Sequence, residues 1–274
     1  YKDKTLTLII PNKFFYEWIE GHYLKLLNDT IITVLGGKGK IEYEVSNETN
    51  TIKEDTSDEL ESVETSNQFF NNLNSNFKFK SFVSGKCNSV AKAAGKRISE
   101  NPGSNPFNPL MVYGGVGLGK THLIQSIGNK IINNSNSSVY YVTSEKFANQ
   151  FIDSLKENKL KNLINFYVNI DCLIIDDIQF FKGKEKTQEV FFHIFNQLNL
   201  NNKQIILAAD KSPVELDGLE RRLVSRFKSG LTVELEKPDY QTRLDILNYK
   251  IQHDNLSINK EIAEYIAFQV DTNI

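Results

Sequence analysis

The sequence is poor in cysteine and has no long hydrophobic run. Its two cysteines, Cys87 and Cys172, lack a second cysteine or a histidine at metal-ligand spacing, so we expect reduced thiols and no disulfide framework. No stretch approaches the roughly 18 consecutive apolar residues of a membrane-spanning helix. Residues 1–7 also lack the layout of a secretory signal peptide. We therefore expect a cytoplasmic protein, and nothing in the sequence indicates contact with lipid.

A strong overall charge is also absent. The 274 residues carry 32 Lys and Arg against 34 Asp and Glu, a net charge of −2, so any contact with DNA must come from a local basic patch. The length and the 40% hydrophobic content predict one full domain and a smaller one. The chain begins at Tyr1 without Met and ends at Ile274 within an expected helix, so we expect both ends to be truncated.

The chain divides into three regions by pattern. Residues 1–45 predict strand, helix and strand, which are too few elements for a stable core alone. Residues 46–76 are polar, with seven acids against the single Lys53, and predict a flexible acidic linker. In residues 77–274, short apolar runs alternate with amphipathic helices, which favours an α/β fold with a parallel sheet flanked by helices. The predicted strands are 110–113, 139–144, 172–177, 204–210 and 231–236, and two helices after Pro238 predict the start of a helical lid.

A phosphate-binding motif lies between the first of these strands and the following helix. The segment GGVGLGKT, residues 114–121, fits G-x-x-x-x-G-K-[ST] in the strand–loop–helix context that the motif requires. Backbone N–H groups of such a loop surround phosphate oxygens at a helix N-terminus. Lys120 is expected to reach the β and γ phosphates, and the Thr121 hydroxyl to bind Mg²⁺. A glycine-rich turn with an incidental Lys-Thr pair is the weaker alternative.

Carboxylates end two other predicted strands. In LIIDDIQF, Asp176 is expected to hold the Mg²⁺ shell and Asp177 to orient the attacking water. In isolation, two acids after an apolar run more often form a solvated strand end, but the P-loop upstream favours the metal-site interpretation. Asp210 follows QIILAA, where it could contact a γ-phosphate or serve only as a turn residue or cap.

Two arginines share one face of a predicted helix. Arg222 and Arg226 in GLERRLVSRF are four residues apart, and a surface ion pair with Glu220 is the simpler interpretation. The second interpretation is an arginine finger, because a planar and permanently charged guanidinium suits the charge that develops on a γ-phosphate.

These segments, taken together, resemble one protein family. FVSGKCNSVAKAAG, NPLMVYGGVGLGKTHL, LIIDDIQFF, IILAADKSPVELDGLERRLVSRF and LTVELEKPDYQTRLDIL resemble the AAA+ domain of the bacterial replication initiator family DnaA, over residues 77–274. The segment TLTLIIPNKFFYEWIEGHYLKLL is similar, more weakly, to the second half of the family's small α+β, KH-like N-terminal domain.

The resemblance implies an ATP-switched initiator that binds the replication origin, forms a filament, opens the duplex and recruits the replicative helicase through its N-terminal domain. It implies a AAA+ P-loop fold with a five-stranded parallel sheet, and slow, Mg²⁺-dependent hydrolysis. The residues carried over from the family's motifs are Val83 and Asn88 toward the adenine; Gly115, Gly117, Gly119, Lys120 and Thr121 at the phosphates; Asp176 and Thr121 at the metal; Asp177, Asp210 as first sensor and Arg226 as finger in catalysis; and Ile152, Lys184 and Lys186 on single-stranded DNA.

The sequence departs from the family pattern in two respects. It ends before the helix that carries the family's second sensor arginine, and it contains no C-terminal helix-turn-helix, so binding to double-stranded origin repeats is expected only of a longer parent protein. The alternatives are a AAA+ helicase loader or a regulatory paralogue of the initiator. A metabolic P-loop kinase is a further alternative. The protein can also be interpreted as a nucleotide-gated scaffold that hydrolysis merely resets, and we favour this interpretation, with slow ATPase activity, over an ordinary ATPase.

Overall fold

The computed structural model describes residues 5–10, 40–45, 72–135 and 137–270. The chain forms two compact units, residues 1–65 and 66–274. In the first unit, strands β1 (Thr5–Ile10) and β2 (Lys40–Val45) pair in parallel from Thr5 opposite Lys40 to Ile10 opposite Val45. The helix predicted to open at Asn12 and most of the predicted linker lie outside the described residues.

The second unit contains the predicted five-stranded parallel sheet, in the order β4-β5-β6-β3-β7. Its strands are β3 (Leu110–Tyr113), β4 (Val139–Thr143), β5 (Cys172–Asp176), β6 (Gln204–Ala209) and β7 (Leu231–Glu234). Three of them end one residue before the predicted boundary, because Ser144 opens a helix, Asp177 adopts a left-handed conformation and Asp210 lies in a bend. The last predicted strand ends two residues early, at Glu234. The residues that leave strand geometry therefore line the carboxyl edge of the sheet.

Helices cover both faces of this sheet. They are α1 (Ser89–Glu100), α2 (Lys120–Asn134), α3 (Ser144–Lys156), α4 (Leu160–Val168), α5 (Glu185–Leu200), α6 (Arg221–Phe227), α7 (Tyr240–His253) and α8 (Lys260–Gln269). Helices α1 and α2 contribute to one apolar core, whereas α3 to α6 contribute to the other. Phe147 and Phe151 of α3 and Phe191 and Phe195 of α5 are buried. Alternation of the buried strands with these helices is what the sequence pattern required.

Specific hydrogen bonds link the two lid helices to each other and link the chain before Phe77 to α2. Helices α7 and α8 are joined by a hydrogen bond of 2.8 Å from Arg243 Nε to the Ala267 carbonyl. Before the predicted domain boundary at Phe77, the backbone N–H of Asn74 donates to Gln125 Oε1 at 2.7 Å, and Leu73 packs on the core formed by α1 and α2. Leu73, an apolar residue within the predicted polar linker, thus packs on the domain four residues before the predicted boundary. Within the described ranges, no helix is both long enough and apolar enough to cross a membrane.

Candidate nucleotide site and arginine face

The phosphate-binding loop connects β3 directly to α2. Gly117 and Gly119 have φ values of 79° and 86°, a left-handed conformation that glycine adopts without the steric cost of a Cβ. A Cβ at Gly119 would also lie 3.3 Å from the Phe82 ring. Helix α2 begins at the next residue, so its N-terminal N–H groups and the loop form one positively polarised surface.

Lys120 is the first residue of α2, and its side chain turns back against the loop backbone. Its side chain is only 9% exposed, and its ammonium donates hydrogen bonds of 2.8 Å to the carbonyls of Gly114 and Gly115. Burial lowers the pKa of Lys120, and the charges of the three strand-end carboxylates, Asp176, Asp177 and Asp210, oppose that shift. The loop therefore holds a buried cation that faces a carboxylate cluster.

Asp176 is the most buried of these carboxylates, at 2% exposure. Its Oδ2 accepts hydrogen bonds from the Thr121 hydroxyl at 2.6 Å and the Tyr141 hydroxyl at 3.1 Å, and its Oδ1 accepts from the Asp177 N–H at 2.9 Å. Burial raises the pKa of Asp176, and the hydrogen bond from Thr121 counters that rise. The structure thus joins the two predicted metal-binding residues. Tyr141 was not predicted, because an aromatic residue within an apolar strand carries no chemical signal in the sequence.

Asp177 and Asp210 are linked through a residue that sequence reasoning missed. Gln179 donates from Nε2 to Asp177 Oδ1 at 2.9 Å, and its Oε1 accepts the Asp210 N–H at 3.3 Å. Asp177 has φ 57° and ψ 45°, and its carbonyl accepts the Ser144 hydroxyl at 2.6 Å. Gln179 lies in the quoted IDDIQFF segment, but only the adjacency of β5 and β6 brings it between the two carboxylates.

These donors fit a magnesium-bound nucleotide. Among the described residues, no group of three or more His, Cys, Asp or Glu side chains could hold a metal by itself. Thr121 and Asp176 supply two hard oxygen ligands, and Mg²⁺ ordinarily completes its shell with phosphate oxygens and water. Asp210 Oδ1 is buried without a hydrogen-bond partner in the described part of the chain, and a buried polar atom of this kind is expected to have one.

A cavity of about 450 Å³ opens beside the loop. Val83 and Asn88, which are predicted to face the adenine, line it together with Gly119 and residues of α7. The Asn88 side chain also holds its own turn, because Nδ2 donates to the Val83 carbonyl at 3.0 Å and Oδ1 accepts the Gly85 N–H at 3.0 Å. One side of the cavity is therefore formed by the turn from Val83 to Asn88, which the Asn88 side chain stabilises.

Aromatic side chains form much of the remaining cavity wall, and the sequence did not reveal them. The His122 ring stacks on Phe77 at 4.8 Å and meets the Phe82 ring edge-on at 5.4 Å. Burial lowers the pKa of His122, which favours a neutral ring. Tyr249 and His253 of α7 also line the cavity. The cavity thus spans the sheet domain and the lid, and its flat apolar rings suit a nucleobase.

The two predicted arginines of α6, Arg222 and Arg226, have different surroundings. Arg222 forms an ion pair with Glu220 and lies 4.6 Å from the centre of the Phe192 ring. Arg226 is exposed and forms no ion pair with any described residue. The surface-pair interpretation therefore applies to Arg222, whereas Arg226 is free for an external anion.

The predicted single-strand residues lie apart from the nucleotide cavity. Ile152 is 45% exposed on α3, Lys184 precedes the first residue of α5, and Lys186 is exposed in the first turn of that helix. All three belong to the sheet face that α3 to α6 cover. Their assignment to DNA remains a prediction.

The strand order, the loop between β3 and α2, the strand-end carboxylates and the helical lid define a AAA+ P-loop fold. A family model described as the bacterial DnaA ATPase domain matches residues 73–234, and one described as the DnaA N-terminal domain matches residues 1–31. The chain belongs to the DnaA family of replication initiators.

Curated and structural relatives agree with this assignment. The chromosomal replication initiator protein DnaA of Chlorobaculum tepidum is 42% identical over all of this chain and 61% of its own length, so the chain spans about three fifths of that relative. Domain III of the Thermotoga maritima DnaA is 43% identical, with a TM-score of 0.71 over 73% of this chain and 84% of that one. A replication initiator DnaA bound to AMPPCP and single-stranded DNA is 40% identical, with a TM-score of 0.70 over 74% of this chain and 62% of that one.

The main alternative fares less well in the same comparisons. A DnaC helicase loader shares only the fold, at 18% identity and a TM-score of 0.53 over 59% of this chain and 97% of that one. The match of residues 1–31 to the DnaA N-terminal domain also favours the initiator over the loader.

Proposed function

We propose that this chain binds ATP with Mg²⁺ and acts as the nucleotide switch of a replication initiator. The observation that carries the proposal is the 2.6 Å hydrogen bond from the Thr121 hydroxyl to the Asp176 carboxylate. It brings one oxygen ligand from the start of α2 and one from the end of β5 together beside the buried Lys120. Bound magnesium would neutralise phosphate charge in this position.

The chain's own residues divide the work of hydrolysis. Lys120 neutralises the β and γ phosphates, while Gly115, Gly117 and Gly119 leave room for the loop backbone to approach them. Asp177 orients and polarises the attacking water, with its side chain positioned by Gln179. The unpartnered Oδ1 of Asp210 is available to that water or to a protonated or metal-bound group near the γ-phosphate.

The initiator role follows from the family and from the exposed residues. The relative solved with AMPPCP and single-stranded DNA supports binding of a nucleotide and of a strand, which we assign to the cavity and to Ile152, Lys184 and Lys186. Arg226 is the proposed finger that completes a neighbouring subunit's site, so that ATP drives assembly into a filament. Origin opening, helicase recruitment through the N-terminal unit and slow hydrolysis that resets the switch complete the proposal.

The direct test is ATP binding by Lys120→Ala. This change removes the buried cation that is proposed to neutralise the β and γ phosphates. It should reduce affinity for labelled ATP to an undetectable level, because hydrogen bonds between charged groups are stronger than those between neutral groups. Lys228→Ala is the control, because that lysine is exposed and forms no ion pair with a described residue. Unchanged ATP affinity in a Lys120→Ala protein with a normal circular dichroism spectrum would refute the nucleotide site.

A further inference from the structure

A second basic surface lies on the sheet face opposite the predicted single-strand residues. Between α1, α2 and the segment that precedes them, a groove of about 340 Å³ is lined by Lys78, Lys80, Lys96, Lys130, Asn129 and Asn133. We call it the lysine groove. Helices α1 and α2 belong to one core of the domain, whereas Ile152, Lys184 and Lys186 lie on elements of the other core.

The lysine groove has a local charge that the whole chain lacks. All four of its lysines are exposed, and none forms an ion pair with a described residue. Its one acid, Glu100, lies 3.7 Å from Arg97, so that carboxylate is already partly neutralised. In a chain with a net charge of −2, four ammonium groups around one groove form a concentrated positive site.

The chemistry of the groove suits a phosphate backbone. Lysine ammonium groups are point charges that bind phosphates without the fixed geometry of an arginine fork, and such contacts carry no base-sequence information. Phe79 is the one aromatic residue that lines the groove and is partly buried against the core formed by α1 and α2, so the groove lacks the series of rings on which successive unpaired bases stack. Duplex DNA has the densest phosphate charge, about one per 1.7 Å of axis, and it needs no stacking platform.

We propose that the lysine groove binds the sugar–phosphate backbone of duplex DNA, independently of sequence and of the nucleotide site. The inference deepens the proposed initiator function by adding a second DNA-binding surface. It places the two surfaces on opposite faces of the sheet, so one subunit can contact a duplex and a separated strand at once.

The experiment compares two charge-reversed variants of the 274-residue chain. The groove variant is Lys80→Glu with Lys96→Glu and Lys130→Glu. The control variant is Lys211→Glu with Lys228→Glu and Lys237→Glu, which changes the net charge equally at exposed lysines without ion pairs elsewhere. Fluorescence anisotropy measures binding to a labelled duplex of arbitrary sequence over a range of salt concentrations, and ATP binding is measured on the same proteins.

We expect the groove variant to lose roughly tenfold or more in duplex affinity at low salt, and the slope of log K against log salt to fall by about three. The control variant should lose much less, and both should bind ATP as the original chain does. Normal ATP binding separates failure of this inference from failure of the proposed nucleotide function.

Three outcomes would overturn the proposal. Equal losses in both variants would show an effect of net charge alone, and unchanged duplex binding in the groove variant would remove DNA from this surface. Selective loss of binding to a synthetic peptide of residues 46–71, with duplex binding intact, would assign the groove to the chain's own acidic segment.

Discussion

Replacing Arg226 with alanine tests whether the nucleotide site is completed by a neighbouring subunit. The carboxyl end of α6 leads into β7, whose first residue, Leu231, pairs with Leu110 at the amino end of β3. The P-loop begins at the opposite end of that strand. Four steps of about 3.3 Å lead from Leu110 to Gly114, where the loop begins, a distance of about 13 Å that exceeds the roughly 8–10 Å over which salt screens exposed charges. This separation supports the proposal that Arg226 acts on another subunit's nucleotide and not on that of its own chain.

The expected size of the effect follows from this geometry. Arg226→Ala should leave ATP affinity unchanged in a single subunit but weaken ATP-dependent assembly. Hydrolysis by the assembled protein should fall by roughly 10³-fold, the lower end for arginine fingers supplied in trans, which corresponds to about 4 kcal/mol of barrier. Arg222→Ala is the matched control on the same helix. It removes only a partly exposed ion pair and a ring contact, each contributing at most about 1 kcal/mol to stability.

The decisive assay mixes Arg226→Ala protein with Lys120→Ala protein, each inactive alone. At a mixed interface, an intact P-loop from one variant meets an intact arginine from the other, so about a quarter of the interfaces in an equal, random mixture should regain hydrolysis. Turnover and assembly are measured across mixing ratios. No recovery at any ratio, or normal assembly of Arg226→Ala with ATP, would return Arg226 to an ordinary surface residue.

Three further predictions follow from the site and its surroundings. Asp177→Asn should keep ATP binding and stop hydrolysis, because asparagine tolerates the left-handed backbone at this position but cannot activate water; joint loss of binding and turnover would contradict this division. Lys184→Glu with Lys186→Glu should weaken salt-dependent binding of single-stranded DNA in anisotropy titrations, and unchanged binding would exclude this patch. His122 has a pKa below its ordinary value of 6.5, so its contribution to stability is present above pH 6.5 and is lost as pH falls through the lowered value. The urea midpoint should therefore drop on acidification, and less so in His122→Leu; equal drops would show that other groups dominate.

Sequence alone determined the features that depend on residues close together in the chain. The P-loop, the strand-end acids and the parallel α/β fold were predictable because phosphate loops need glycine, lysine and a hydroxyl at fixed spacing, and because buried strands and amphipathic helices have different periodicities. The five-stranded sheet confirmed the predicted fold. The assignment of individual site residues stays a prediction, although the structure brings Thr121 and Asp176 together.

Tertiary structure decided which distant side chains meet those motifs. Tyr141 reaches Asp176 because β4 pairs with β5, and Gln179 lies between Asp177 and Asp210 because β5 pairs with β6. The lysine groove depends in the same way on α1 packing beside α2, which brings Lys96 near Lys130 although 34 positions separate them in the chain. Composition and periodicity describe which face of each element is buried, but the order in which strands pair and helices pack decides which side chains share a site.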